Sequence, residues 1–203
     1  MKKYILILIV AISTNAFAQN PVIEIESWDG KMLPNGAYLK DANNRQSQYV
    51  GTWHYSENGK ELTLVLKRYE MAFTGRTYND ILVGEYKYVV NGITVINTLP
   101  NLNNDLPNKW SHNISGSYPI GRLASPYCPE CDPDEKRMAM GFFDPIREIS
   151  GSLTLRRITV NGVAAIKMDL FAESEVVDEN DTRSPEDFQL HVDISECVLL
   201  KIE

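Results

Sequence analysis

The stretch from 81 to 99, "ILVGEYKYVVNGITVINTL", restricts the fold more than any other in the chain. Alternating apolar residues run into Asn91-Gly92 and out again. Asparagine followed by glycine supplies the two positive φ angles of a type I′ turn, whose twist matches that of paired antiparallel strands. "GSLTLRRITVNGVAAIKMDLF", 151 to 171, repeats the device at Asn161-Gly162, and Asn58-Gly59 in "QYVGTWHYSENGKEL" makes a third turn. Between the turns, "ELTLVLKRYEM" sets Leu62, Leu64 and Leu66 on one face against Thr63, Val65 and Lys67. Near the end, "DFQLHVDIS" sets Phe188, Leu190, Val192 and Ile194 against Gln189, His191, Asp193 and Ser195. A period of two suits antiparallel strands with one face on a core and the other in water.

No stretch beyond the N-terminus offers a sustained helical stripe; a short helical turn fits "KDANNRQSQ", just before Trp53. The pattern therefore predicts an all-β domain of about eight strands. That is the number at which a closed antiparallel β-barrel can just enclose a core or a small ligand. A barrel-like sandwich is the competing architecture. Three loop-like stretches interrupt the strands: 97–110, rich in Asn and Pro; 117–137, with four prolines and two cysteines; and 173–187, an acidic tip. Long loops on a β scaffold are where recognition usually resides.

The chain opens "MKKYILILIVAISTNAFA". Lys2 and Lys3 precede an apolar run from Tyr4 to Ile12, and Ala16-Phe17-Ala18 has the small-x-small form of a cleavage site. This is the three-part pattern of a secretory signal peptide, with an apolar part too short for a comfortable membrane span. Residues 1–18 are expected to be removed after Ala18, leaving 19–203 as a single exported domain, periplasmic or extracellular. No later segment reaches membrane-spanning length. The formal charge of −7 repels phosphate backbones, and no basic run with interleaved aromatics offsets it, so nucleic acid is not an expected partner.

"SPYCPECDPDE" spaces Cys128 and Cys131 like a redox dithiol or half a zinc site. Glu130, Asp132, Asp134 and Glu135 surround the pair and disfavour a thiolate, which argues against redox catalysis. A structural zinc site needs four ligands, and no second pair of ligands at such a spacing follows. A disulfide suits an oxidising compartment; Cys128, Cys131 and Cys197 are its candidates, and spacing alone leaves the pairing open. Asp132-Pro133-Asp134-Glu135 also fits a helix start capped by Asp132. His54, His112 and His191 lie far apart in sequence, and each reads as a hydrogen-bonded histidine before a ligand or base. Neither a nucleophile elbow nor a phosphate loop nor a zinc-protease helix appears, and Asp178, Glu179 and Asp181 lack the spacing of a calcium loop. No catalytic residue, metal site or cofactor is assigned.

The segments "GAYLKDANNRQSQYVGTWHY" (36–55), "LVGEYKYVVNGITVINTL" (82–99) and "CPECDPDEKRMAMGFFDP" (128–145) resemble a family of short exported proteins of unknown function found in Bacteroidota. That resemblance covers most of the chain and brings no activity with it. A wider resemblance is to lipocalins and other calycin-like barrels, where a G-x-W triplet opens the first strand and sets tryptophan across the closed end. Gly51, Thr52 and Trp53 match the triplet. The second lipocalin motif has only Thr77-Tyr78-Asn79-Asp80 in its place, and the terminal arginine that covers the tryptophan is replaced by Lys201 nearby. The resemblance implies a lipocalin-like topology and a ligand in the barrel mouth.

The sequence thus points to a non-enzymatic exported β-barrel protein. Its first expected activity is to bind a small hydrophobic or amphipathic ligand through Trp53, Tyr55, Tyr86 and Tyr88. The alternative is a filled barrel that meets a protein partner through loops 97–113 and 117–137.

Overall fold

The computed structural model describes residues 20–173 and 184–202; the leader through Ala18 and the acidic tip with Asp178, Glu179 and Asp181 lie outside them. Eleven strands run in chain order: β1 (Val22–Glu24), β2 (Tyr38–Lys40), β3 (Gly51–Glu57), β4 (Lys60–Phe73), β5 (Tyr78–Val90), β6 (Ile93–Asn97), β7 (Ile114–Ile120), β8 (Arg137–Asp144), β9 (Ile149–Val160), β10 (Val163–Ala172) and β11 (Glu196–Lys201). Eight of them close a barrel in the order β5-β4-β3-β11-β10-β9-β8-β7 and back to β5, every pair antiparallel. Closure decides between barrel and sandwich in favour of the barrel, and it leaves the eight staves without a free edge. The described residues contain no α-helix, and no helix long and apolar enough to cross a membrane.

Asparagine–glycine pairs make the tight hairpins as expected. Asn58, Asn91 and Asn161 have φ of 52°, 50° and 50°, and the glycines after them 76°, 79° and 81°. The seam where β7 meets β5 depends on two other glycines. A Cβ on Gly84 would stand 2.5 Å from Leu66 Cδ2, and one on Gly116 would stand 2.7 Å from Met140 Cα. Their bare backbones let β5 lie close to β4 and β7 close to β8 on either side of that seam.

The edge of β5 away from β4 is shared among three partners: β2 at Tyr78 and Asn79, β7 from Leu82 to Gly84, and β6 from Lys87 to Val90. Near one end, β2 pairs in parallel with β5 and β1 in parallel with β2, extending the sheet outside the barrel. A 3-10 turn at Gln46–Tyr49 leads into β3, where a short helical turn was expected.

Two local expectations are corrected. Residues 188–195 do not form a strand: 185–188 make a 3-10 turn, and β11 begins only at Glu196. Leu190, Val192 and Ile194 are nonetheless buried in the main core, where they close the barrel end bearing the β8–β9 turn. The alternation reported one buried side correctly. The backbone pairing is absent because buried Asp144, rather than a neighbouring strand, takes the His191 N–H at 2.7 Å. Asp132 does not start a helix either; its N–H donates to Glu135 Oε2 and its carbonyl accepts from Glu135 N, closing a turn.

Asp144 holds this end cap. It accepts from Ile146 N, Arg147 N, His191 N and His191 Nδ1. Burial alone would raise its pKa, but the donated hydrogen bonds from His191 and Arg147 outweigh burial and hold the carboxyl below its ordinary 3.8. A depressed folded pKa stabilises the fold above the unfolded value, and the contribution fades as pH falls from about 3.8 through the lower folded value. Asp144→Ala is expected to cost about 2–4 kcal/mol near neutral pH, read from the urea midpoint. The same variant should flatten the acid limb of the stability curve. An unchanged midpoint would show that residues 184–195 are not held by this carboxylate.

Candidate functional site

Cross-strand register brings the four sequence-chosen aromatics together. Trp53 pairs with Leu64, which pairs with Tyr86; Tyr55 pairs with Leu62, which pairs with Tyr88. Two adjacent rows thus line the inner wall. Trp53, Tyr86 and Tyr88 are at most 1% exposed, and all belong to one cluster with Leu153, Leu155, Ile166, Met168 and Leu199 from the opposite wall. Tyr55 is partly buried against the same cluster.

The polar atoms of Trp53, Tyr86 and Tyr88 are already used. Trp53 Nε1 donates to Tyr49 O at 2.7 Å, and Tyr86 OH donates to Phe143 O at 3.2 Å. Tyr88 OH donates to Asp193, which also pairs with Lys60 at 2.7 Å. Burial first, then nearby carboxylates, pushes both tyrosines above the ordinary phenol value. Arg157 and Lys201 stand over the Trp53 ring at 5.1 and 5.4 Å from its centroid. They cover the indole at the end of the barrel opposite the Asp144 cap.

The cysteines resolve simply. Cys128 and Cys131 form a disulfide with S–S 1.99 Å, and Cys197 is a free, buried thiol facing the core. Burial pushes the Cys197 thiol up to about 12, so it is not poised as a nucleophile at neutral pH. His54 Nδ1 meets Thr63 Oγ1, His191 meets Asp144, and His112 meets Glu85, each within 3.2 Å. The described residues contain no group of three or more His, Cys, Asp or Glu able to hold a metal ion.

A cleft of about 640 Å³ opens outside the barrel, against the outer end of β5. Four separate segments build it. The arm at 28–33 gives Trp28 and Leu33; β2 gives Leu39; the β4–β5 turn and the start of β5 give Arg76, Thr77 and Asn79; and the loop before β7 gives Asn108 and Trp110. That volume lies in the range of small-molecule sites.

Each part is held from below. Gly36 N donates to Arg76 O at 2.8 Å, tying the end of the arm to the β4–β5 turn. Trp28 Nε1 donates to Lys31 O at 2.8 Å, and its ring packs on Tyr118 with centroids 5.4 Å apart. Asn108 accepts from Trp110 N, and Ser115 Oγ donates to Trp110 O. Behind Trp110, buried Glu85 on the outer face of β5 takes Asn113 Nδ2 at 2.6 Å and meets His112 Nδ1 at 2.9 Å. These bonds explain the Glu85–His112 pair as the anchor of the loop that carries Trp110.

Asn79 gives the cleft its most informative polar atom. The residue is only 8% exposed, and its Oδ1 accepts from Thr77 Oγ1 at 3.4 Å. Its Nδ2 donates to no protein acceptor among the described residues and is open to solvent through the cleft. An amide donor turned to the cleft in this way can exchange water for the acceptor of a ligand.

Sequence reasoning pointed to the loop at 97–113, which supplies Asn108 and Trp110. It missed Trp28, Arg76 and Asn79, which sit in no motif and meet only through the pairing of β2 with β5. It also missed Arg157, which no pattern connects to Trp53.

No curated protein and no solved structure matches the chain. A family model does, over residues 1–201 and so through both the barrel and the cleft. The chain belongs to the DUF6705 family, a family of unknown function.

Proposed function

We propose that this is an exported, non-enzymatic binding protein that takes a small ligand in the outer cleft beside β5 rather than in the barrel. The observation that carries this reading is the contrast between the two spaces. Trp53, Tyr86 and Tyr88 are buried and hydrogen-bonded within the barrel, whereas the cleft is open, of small-molecule size and bears an amide donor with no protein acceptor among the described residues. The chain's charge and strand pattern fit a soluble carrier or sensor of such a ligand. Export is supported by the signal-like N-terminus and by the Cys128–Cys131 disulfide, which persists in an oxidising compartment. The leader is taken to be removed after Ala18.

Native mass spectrometry of protein recovered from its own culture medium tests both halves. The expected result is a chain beginning at Gln19 that carries a small molecule released on denaturation. Trp110→Ala should lose that molecule while keeping the fold. An N-terminus still at Met1 would overturn export, and a ligand retained by Trp110→Ala would overturn the cleft as its site.

A further inference from the structure

The cleft's charge is opposite to that of the molecule. The whole chain carries 27 acidic and 20 basic residues, a formal −7, yet the cleft is lined by Lys31 and Arg76 and by no carboxylate. Lys31 pairs with Asp29 at 2.6 Å, outside the lining. Arg76 makes no ion pair among the described residues and is exposed at the rim; its backbone carbonyl accepts from Gly36 N. Deeper in, Asn79 Nδ2 is a second donor, open to the cleft and without a protein acceptor among the described residues. Both free groups donate, and a guanidinium beside an amide favours an oxyanion, most strongly a carboxylate that can take two parallel N–H bonds. Apart from Gly30 and the neutral polar residues Thr74, Thr77 and Asn108, the remaining lining is apolar and aromatic: Trp28, Trp110, Leu33, Leu39 and exposed Met32.

Resting on the reading of this cleft as the binding site, we infer that its ligand is a small amphipathic anion. A carboxylate head group is held by Asn79 Nδ2 and Arg76, and an apolar ring or short acyl chain lies on the indoles of Trp28 and Trp110. The acidic surface elsewhere repels such an anion, so the cleft is the place where it can settle. Specificity comes from the head group, because an apolar wall alone discriminates weakly among tails of similar size.

The test compares three molecules with one tail: octanoate, octanamide and octylammonium. Binding to the full chain is followed by tryptophan fluorescence, to which Trp28 and Trp110 contribute from the cleft. Octanoate is expected to bind at least about 10-fold tighter than octanamide and to weaken with added salt, with octylammonium the poorest. Arg76→Gln, at an exposed position the fold does not need, should weaken octanoate about 10-fold and leave octanamide unchanged. Octanamide binding as tightly as octanoate, or Arg76→Gln without effect on octanoate, would overturn the anion assignment while leaving the cleft as the site. No response to any of the three would overturn both.

Discussion

Asp80→Ala is expected to destabilise the protein by about 3–5 kcal/mol and to disorder the cleft along with the fold. Asp80 is 0% exposed and sits at the junction of four structural parts. Its carboxylate accepts from Tyr38 OH at 2.6 Å on β2, from Asp41 N at 3.0 Å and from Met71 N at 3.1 Å, and it pairs with Arg68 at 3.2 Å. Met71 lies in the bulge where the β4–β5 register shifts, with φ of 51°, a conformation that side-chain-bearing residues seldom adopt. The Asp80 bond to its N–H is part of what holds it there. Alanine leaves two backbone amides and a guanidinium without this acceptor; Arg68 retains Glu70 at 3.1 Å and Asp41 at 3.9 Å, which limits the loss.

β2 and the arm before it then lose their main tie to β5, and Leu39 leaves the cleft. The urea midpoint should fall with the slope unchanged, and octanoate should bind weakly even under conditions where the variant is folded. Asp80→Asn keeps the shape and should cost less. A loss below about 1 kcal/mol for Asp80→Ala would mean that the junction is held by packing alone.

Trp53→Ala is expected to cost a similar amount, about 3–5 kcal/mol, for a different reason. The indole is wholly buried within the core rows, and its removal leaves a cavity beneath Arg157 and Lys201 together with an unpaired Tyr49 carbonyl. Trp53→Phe refills most of that space and should cost about 1–2 kcal/mol, chiefly the lost hydrogen bond. Neither substitution should alter the affinity of the folded protein for a cleft ligand. A Trp53→Phe variant that keeps its stability but loses binding would return the site to the barrel interior.

The residues that show how far the sequence could be read are those whose role depends on near neighbours. The Asn-Gly pairs declared three hairpins because the backbone angles they adopt are local. The alternation through Leu62, Leu64 and Leu66 declared the inner wall, while the register that sets Trp53 beside Tyr86 through Leu64 emerges only in the folded sheet. The same alternation at 188–195 announced burial but not pairing, since side-chain periodicity cannot say whether a strand or a carboxylate takes the backbone N–H groups. Trp53 lies in the inner wall, and the cations over its ring are Arg157 from β9 and Lys201 from β11. The cleft was illegible because Trp28, Asn79, Arg76 and Trp110 become neighbours only through tertiary contacts, and none stands in a local motif.

The indole N–H resonances of Trp28, Trp53 and Trp110 offer the most direct test, because one lies in the barrel and two line the cleft. During a titration with octanoate, the peaks of Trp28 and Trp110 are expected to move together while that of Trp53 stays in place. Movement of the Trp53 peak alone, or of none of the three, would contradict a binding cleft outside a filled barrel.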